Sequence, residues 1–85
     1  MTAYVAVFKT DEGRFYPNFC SDGSVHKANL ALGKELSYEL VYEGNFRSYE
    51  PCSVVEKFIR EANQSGKFDK KALEARLEKK WLINL

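Results

Sequence analysis

The sequence predicts an α+β fold, a small antiparallel sheet of about three to five short strands that opens with an N-terminal hairpin and packs against a C-terminal helical hairpin. Three observations predict it. Short runs rich in aromatic and β-branched residues, separated by turn residues, fill much of the first 50 positions, as strands do. Apolar residues recur at helical spacing after Pro51. The five glycines, at 13, 23, 33, 44 and 66, fall singly where short elements should join. Strands that precede helices, instead of alternating with them, favour this class over a parallel sheet. The 85 residues form one domain, strand-rich over 1–50 and helical over 51–85. A chain of that length buries roughly 60–65% of its unfolded surface and has room for one core.

The first strand is Ala3 to Lys9. Tyr4, Ala6 and Phe8 lie on one alternation and Ala3, Val5 and Val7 on the other, so both faces should be covered and the strand should be central. Asp11-Glu12-Gly13 supplies turn chemistry, and Arg14 to Cys20 returns as a second strand. Pro17 has no N–H for a ladder, which assigns this strand to an edge or a bulge. Asp22-Gly23 reads as a turn. Residues 25–32 fit two descriptions: a short helix capped by Ser24 and ended by a left-handed Gly33, or a strand on the alternation of Ala28, Leu30 and Leu32.

Leu36, Tyr38, Leu40 and Tyr42 alternate with Ser37, Glu39, Val41 and Glu43, a half-buried strand pattern. Glu35, Glu39 and Glu43 also recur every fourth residue, as on a helix face. The tyrosine pair and the Gly44-Asn45 dipeptide, a hairpin signal leading into a further strand Phe46 to Glu50, favour the strand. Beyond Pro51, the residues Val54, Val55, Phe58, Ile59 and Ala62 form one apolar helical stripe, stopped by Asn63-Gln64-Ser65-Gly66. Asp69 is a natural N-cap for a second helix carrying Leu73, Leu77 and Trp81 at spacing four.

Composition excludes several classes of protein. Six Phe, five Tyr and one Trp with only two Pro give too much apolar surface for disorder. The longest apolar run, Ala3 to Phe8, is far shorter than the roughly 18–20 residues of a membrane span and lacks the flanks of a secretory signal. A cytoplasmic protein is the expectation, and Cys20 and Cys52, in no metal-ligand or CxxC spacing, read as reduced packing thiols.

No catalytic constellation stands out. His26 is the only histidine, so no metal site of ordinary ligand count is expected, and nothing around Cys20 and His26 matches a catalytic cysteine signature. The scattered glycines make no phosphate-binding loop. The chain is therefore expected to be a non-enzyme that needs neither cofactor nor metal.

The net charge of +1 hides a division. Residues 1–65 carry seven Lys/Arg and nine Asp/Glu, whereas 66–85 carry six and three. This arrangement suits a polar interaction surface better than a strong polyanion binder. The favoured reading is a protein-binding module whose contact face is acidic and aromatic: Tyr38, Glu39, Tyr42, Glu43, Phe46 and Tyr49. A bacterial or phage-encoded regulator or inhibitor suits that size and equipment, and a homodimer is compatible with it. The alternative is an RNA- or DNA-binding regulator, with Lys67, Lys70, Lys71, Arg76, Lys79 and Lys80 on phosphates and Tyr16 among the tyrosines available for stacking. A small enzyme is the third and least supported class.

One stretch resembles a known family. Tyr4-Val5-Ala6-Val7-Phe8, Asp11-Glu12-Gly13-Arg14-Phe15-Tyr16 and Phe19 resemble the opening hairpin of HicB-type antitoxins. The likeness stops at Cys20-Ser21-Asp22-Gly23-Ser24, which replaces the proline-glycine-cysteine segment and helix start of that family.

Overall fold

Residues 2–20 and 33–83 are described by the computed structural model. The expectations for a turn at Asp22-Gly23, for the cap at Ser24, for 25–32 as helix or strand and for His26 lie outside the described residues.

The first strand, β1 (Ala3–Lys9), is the centre of a three-stranded antiparallel sheet of order β2-β1-β3. β2 (Phe15–Cys20) pairs with it through a tight turn in which the Gly13 N–H donates to the Thr10 carbonyl at 2.9 Å and Gly13 adopts φ 81°. Pro17 therefore lies on an edge strand, where its missing N–H costs the ladder nothing. Val5 and Val7 are wholly buried on the face that meets the helices, and Ala6 and Phe8 are buried on the other. Both faces of the central strand are covered, as its double alternation requires. Gly33 explains part of the second face: a Cβ there would stand 2.5 Å from the Phe8 ring, so only glycine lets the helical turn at 33–35 approach so closely.

The end of that turn corrects one expectation. The left-handed position belongs to Ser37, at φ 61°, and not to Gly33. The Ser37 N–H donates to the Lys34 carbonyl at 3.1 Å and the Tyr38 N–H to the Gly33 carbonyl at 2.8 Å, the paired bonds of a Schellman ending.

A second correction concerns β3, which runs from Glu39 to Phe46 through the anticipated hairpin at Gly44-Asn45. The separate strand over Phe46 to Glu50 does not form; a helix begins at Glu50 instead. Gly44 is needed in the strand for space. A Cβ on it would lie 2.8 Å from both the Phe46 ring and the Tyr42 hydroxyl, because these two aromatic side chains close over it.

Helix α1 (Glu50–Ser65) carries Pro51 in its first turn and buries Val55, Phe58, Ile59 and Ala62 against the sheet. It ends at Gly66, φ 77°, whose N–H returns to the Ala62 carbonyl at 2.7 Å. Helix α2 (Lys70–Arg76) starts at Asp69, whose carboxylate accepts from the Lys71 N–H at 3.0 Å and the Ala72 N–H at 3.4 Å. The two helices form the expected pair over the sheet, with Phe68 in the link: its ring meets Phe15 of β2 and Phe58 of α1 at 5.4 Å each.

The second helix is shorter than its spacing-four pattern. It stops at Leu77, which is extended at φ −90° and ψ 127°, and Lys79–Trp81 form a separate 3-10 turn. Tertiary contacts override the helical pattern here. The Trp81 indole N–H donates to Glu50 at 2.6 Å, the Arg47 N–H donates to the Trp81 carbonyl at 2.8 Å, and Leu82 bridges Phe46. A continuous helix would carry Trp81 away from these partners.

Candidate functional site

The bulge in β3 decides which side chains reach solvent. Val7 faces Tyr42 and Phe8 faces Leu40, so Val41 is an extra residue between two regular pairs. Val7 and Phe8 point to opposite faces of the sheet, and their partners follow them. Tyr42 turns toward the helices and is 6% exposed, while Leu40 turns to the Phe8 face and is 41% exposed.

This geometry breaks up the contact face expected from the sequence. Tyr42 and Phe46 belong to the core, Phe46 with no exposed surface at all. Burying a phenylalanine completely contributes about 1.5–3 kcal/mol, which explains its place beneath the helices. Burial pushes the Tyr42 hydroxyl pKa up, and the nearby Glu74 charge adds to the shift. Glu39 and Glu43 are exposed, and Tyr38 is half-buried. Tyr49 is exposed as the N-cap residue of α1, beyond the other end of β3. From Tyr38 to Phe46 an extended chain spans roughly 25 Å, so Tyr38 and Tyr49 belong to opposite ends of the strand.

What the fold does bring together lies at the hairpin-turn end of the sheet. Tyr16 and Leu40 flank Phe8 on one face, because both are its cross-strand partners. Tyr16 is 51% exposed. Tyr16 and Tyr38 line one open pocket of about 220 Å³ with Thr10, Asp11, Glu12 and Arg14. Leu36, also exposed, leads into Tyr38. Charged side chains of both signs, Asp11, Glu12 and Arg14, line that pocket, whereas Glu39 and its partner Lys9 lie with Phe15 on the helix face of the sheet. Exposed apolar side chains with a polar rim are the anatomy of a contact surface. Leu36 and Leu40 escape sequence reasoning because strict alternation assigns them to the buried face together with Tyr42.

The six basic residues, Lys67, Lys70, Lys71, Arg76, Lys79 and Lys80, are all exposed. They do not form one helical face, since Lys79 and Lys80 lie beyond the break at Leu77. Arg76 makes forked hydrogen bonds to Glu61 at 2.7 and 2.9 Å and stands 5.0 Å from the centre of the Phe58 ring. Those bonds hold the Glu61 carboxyl below the usual carboxylate range. Lys80 lies 3.5 Å from Glu78. Tyr16 and Tyr38, the tyrosines that share a pocket, do so with the carboxylates Asp11 and Glu12.

Among the described residues no three His, Cys, Asp or Glu side chains are grouped as a metal would need, and no helix is long and apolar enough to cross a membrane. Cys20 and Cys52 are not joined in a disulfide, and both are half-buried. Burial pushes the Cys52 thiol pKa up, with the Glu56 charge adding to it and a backbone hydrogen bond opposing it. Comparison with family models, with curated proteins and with solved structures gave no match.

Proposed function

We propose that this chain is a small non-enzymatic protein-binding module, a regulator or inhibitor that acts by occupying a partner through the hairpin-turn end of its sheet. One observation carries the reading: Tyr16 and Leu40 lie exposed on either side of the buried Phe8, with Tyr38 sharing a pocket with Tyr16, in a domain small enough to need its apolar side chains for the core. Tyrosine suits such a contact because it offers a large rigid surface with a polar tip. On this reading the contact face comprises Tyr16, Tyr38 and Leu40 with the carboxylates Asp11 and Glu12 beside them, and Tyr42 and Phe46 serve stability.

The test compares the wild type with Tyr16→Ser and Leu40→Ser in affinity purification from the native host, with nuclease-treated lysate and a melting curve for each protein. The reading expects one specific protein to co-elute with the wild type and to be lost with both variants while their melting temperatures stay close to the wild type. Co-elution that survives both substitutions removes this surface. Capture abolished by nuclease, together with salt-sensitive heparin retention that falls in Lys70→Glu and Lys71→Glu, would instead assign the basic residues to nucleic acid.

A further inference from the structure

Edge strands expose unpaired backbone groups and invite a second chain to pair with them, and charged side chains commonly guard against this. β1 carries Lys9 and β3 carries Glu39 and Glu43. β2, Phe-Tyr-Pro-Asn-Phe-Cys, carries no charge at all. Its outer edge is closed by other means.

The hydrogen bonds of an antiparallel strand alternate between its two sides. At Phe15 the outward N–H donates to the Asn63 side-chain carbonyl at 2.7 Å, and the outward carbonyl accepts from the Asn63 amide nitrogen at 3.0 Å. Asn63, projecting from α1, thus makes the two bonds that a residue of a neighbouring strand would make. Both are partly buried and link positions 48 residues apart in sequence. By the same alternation the next outward positions are Pro17 and Phe19. Pro17 has no N–H to offer. Phe19 is 37% exposed and lies at the far end of the strand.

We propose that Asn63 and Pro17 together form an edge lock that keeps this chain from pairing with a second copy of itself through β2. The unlocked strand suits a copy of itself. An antiparallel β2–β2 pairing about Pro17 sets Phe15 of each copy against Phe19 of the other, with no like charges to oppose it. In the locked protein Asn63 already satisfies Phe15, which removes one side of both outer pairs, and Pro17 removes the donors of the central pair.

The lock is tested by opening it. Asn63→Ala combined with Pro17→Thr, followed by sedimentation velocity over a concentration series, should convert a one-copy species into one of twice the mass. Asn63→Ala combined with Pro17→Lys, which opens the same backbone groups but puts two positive charges at the dyad, should remain a single copy. A folded Asn63→Ala/Pro17→Thr protein that stays a single copy at every concentration overturns the proposal, as does a wild type that already pairs through β2. Amide hydrogen exchange on the wild type decides the matter should the double variant not fold. Phe15 should exchange more slowly than Phe19 by on the order of tenfold, since among the described residues Phe15 has an outward partner and Phe19 has none. Equal exchange at the two positions overturns the lock.

Discussion

Substituting Gly44 by alanine tests both the course of β3 and the packing beneath the helices. Gly44 lies opposite Val5 in the strand and its φ is not in the left-handed region. Its backbone alone would accept alanine, and the reduced freedom of the unfolded chain would stabilise the protein by about 0.4–1 kcal/mol. The surroundings reverse that sign. The new Cβ would meet Phe46 Cζ and Tyr42 Oη at 2.8 Å and Phe46 Cε2 at 2.9 Å, closer than carbon approaches such atoms without displacement. Both rings are buried, so they cannot swing into solvent. Overpacking of this kind costs about 1–3 kcal/mol. For a domain of this size each kcal/mol lowers the melting temperature by roughly 4–8 °C. Urea denaturation followed by circular dichroism should show a lower midpoint with an unchanged slope. Phe46→Leu in the same chain should recover part of the loss, a coupling that a double-mutant cycle measures. A Gly44→Ala protein as stable as the wild type, or more stable, would refute the argument that Tyr42 and Phe46 close over this position.

Two other expectations follow from single contacts. Asp69→Ala removes the acceptor for the Lys71 and Ala72 N–H groups and should destabilise the protein by about 0.5–2 kcal/mol, with Asp69→Ser retaining most of the stability in the same thermal melt. The Glu61–Arg76 pair should show in the acid limb: a carboxyl whose pKa is lowered by folding stabilises fully above its unfolded pKa and loses that contribution as pH falls through its folded value. The difference in melting temperature between the wild type and Glu61→Gln should therefore shrink on acidification below about pH 4 and also in high salt, and a difference independent of both would show that the ion pair contributes nothing.

The sheet's first two strands were legible because their signals are local. Both alternations of β1 are apolar, and Pro17 by itself limits β2 to an edge or a bulge. Asp69 and Gly66 were equally plain, since a cap and a left-handed stop depend on their own few neighbours. The misreadings share a cause, which is dependence on partners distant in sequence. Gly44-Asn45 has the composition of a hairpin turn, but its glycine serves the approach of Tyr42 and Phe46 within a strand. Leu77 breaks a helix that its own sequence would continue, because Trp81 and Leu82 bond to Glu50, Arg47 and Phe46. Asn63 has the look of a helix-ending residue, and its bonds to Phe15 are visible only once α1 lies along β2.

The bulge at Val41 ties the core to the candidate surface. One inserted residue lets Tyr42 face the helices while Leu40, two positions earlier, faces the other way, so the same irregularity fills the core and exposes the patch. The consequence is a separation of roles among side chains that alternation would have grouped. Tyr42→Ala should cost on the order of 3–5 kcal/mol, the range for a buried aromatic residue, and any binding lost with it would report unfolding. Tyr16→Ser and Leu40→Ser alter exposed side chains and should cost no more than the roughly 0.2–1 kcal/mol of a cross-strand pair with Phe8. Only this second pair can assign a binding surface. A stability loss at Tyr16 as large as that at Tyr42 would mean that Tyr16 belongs to the core, and the surface proposed around it would have to be given up.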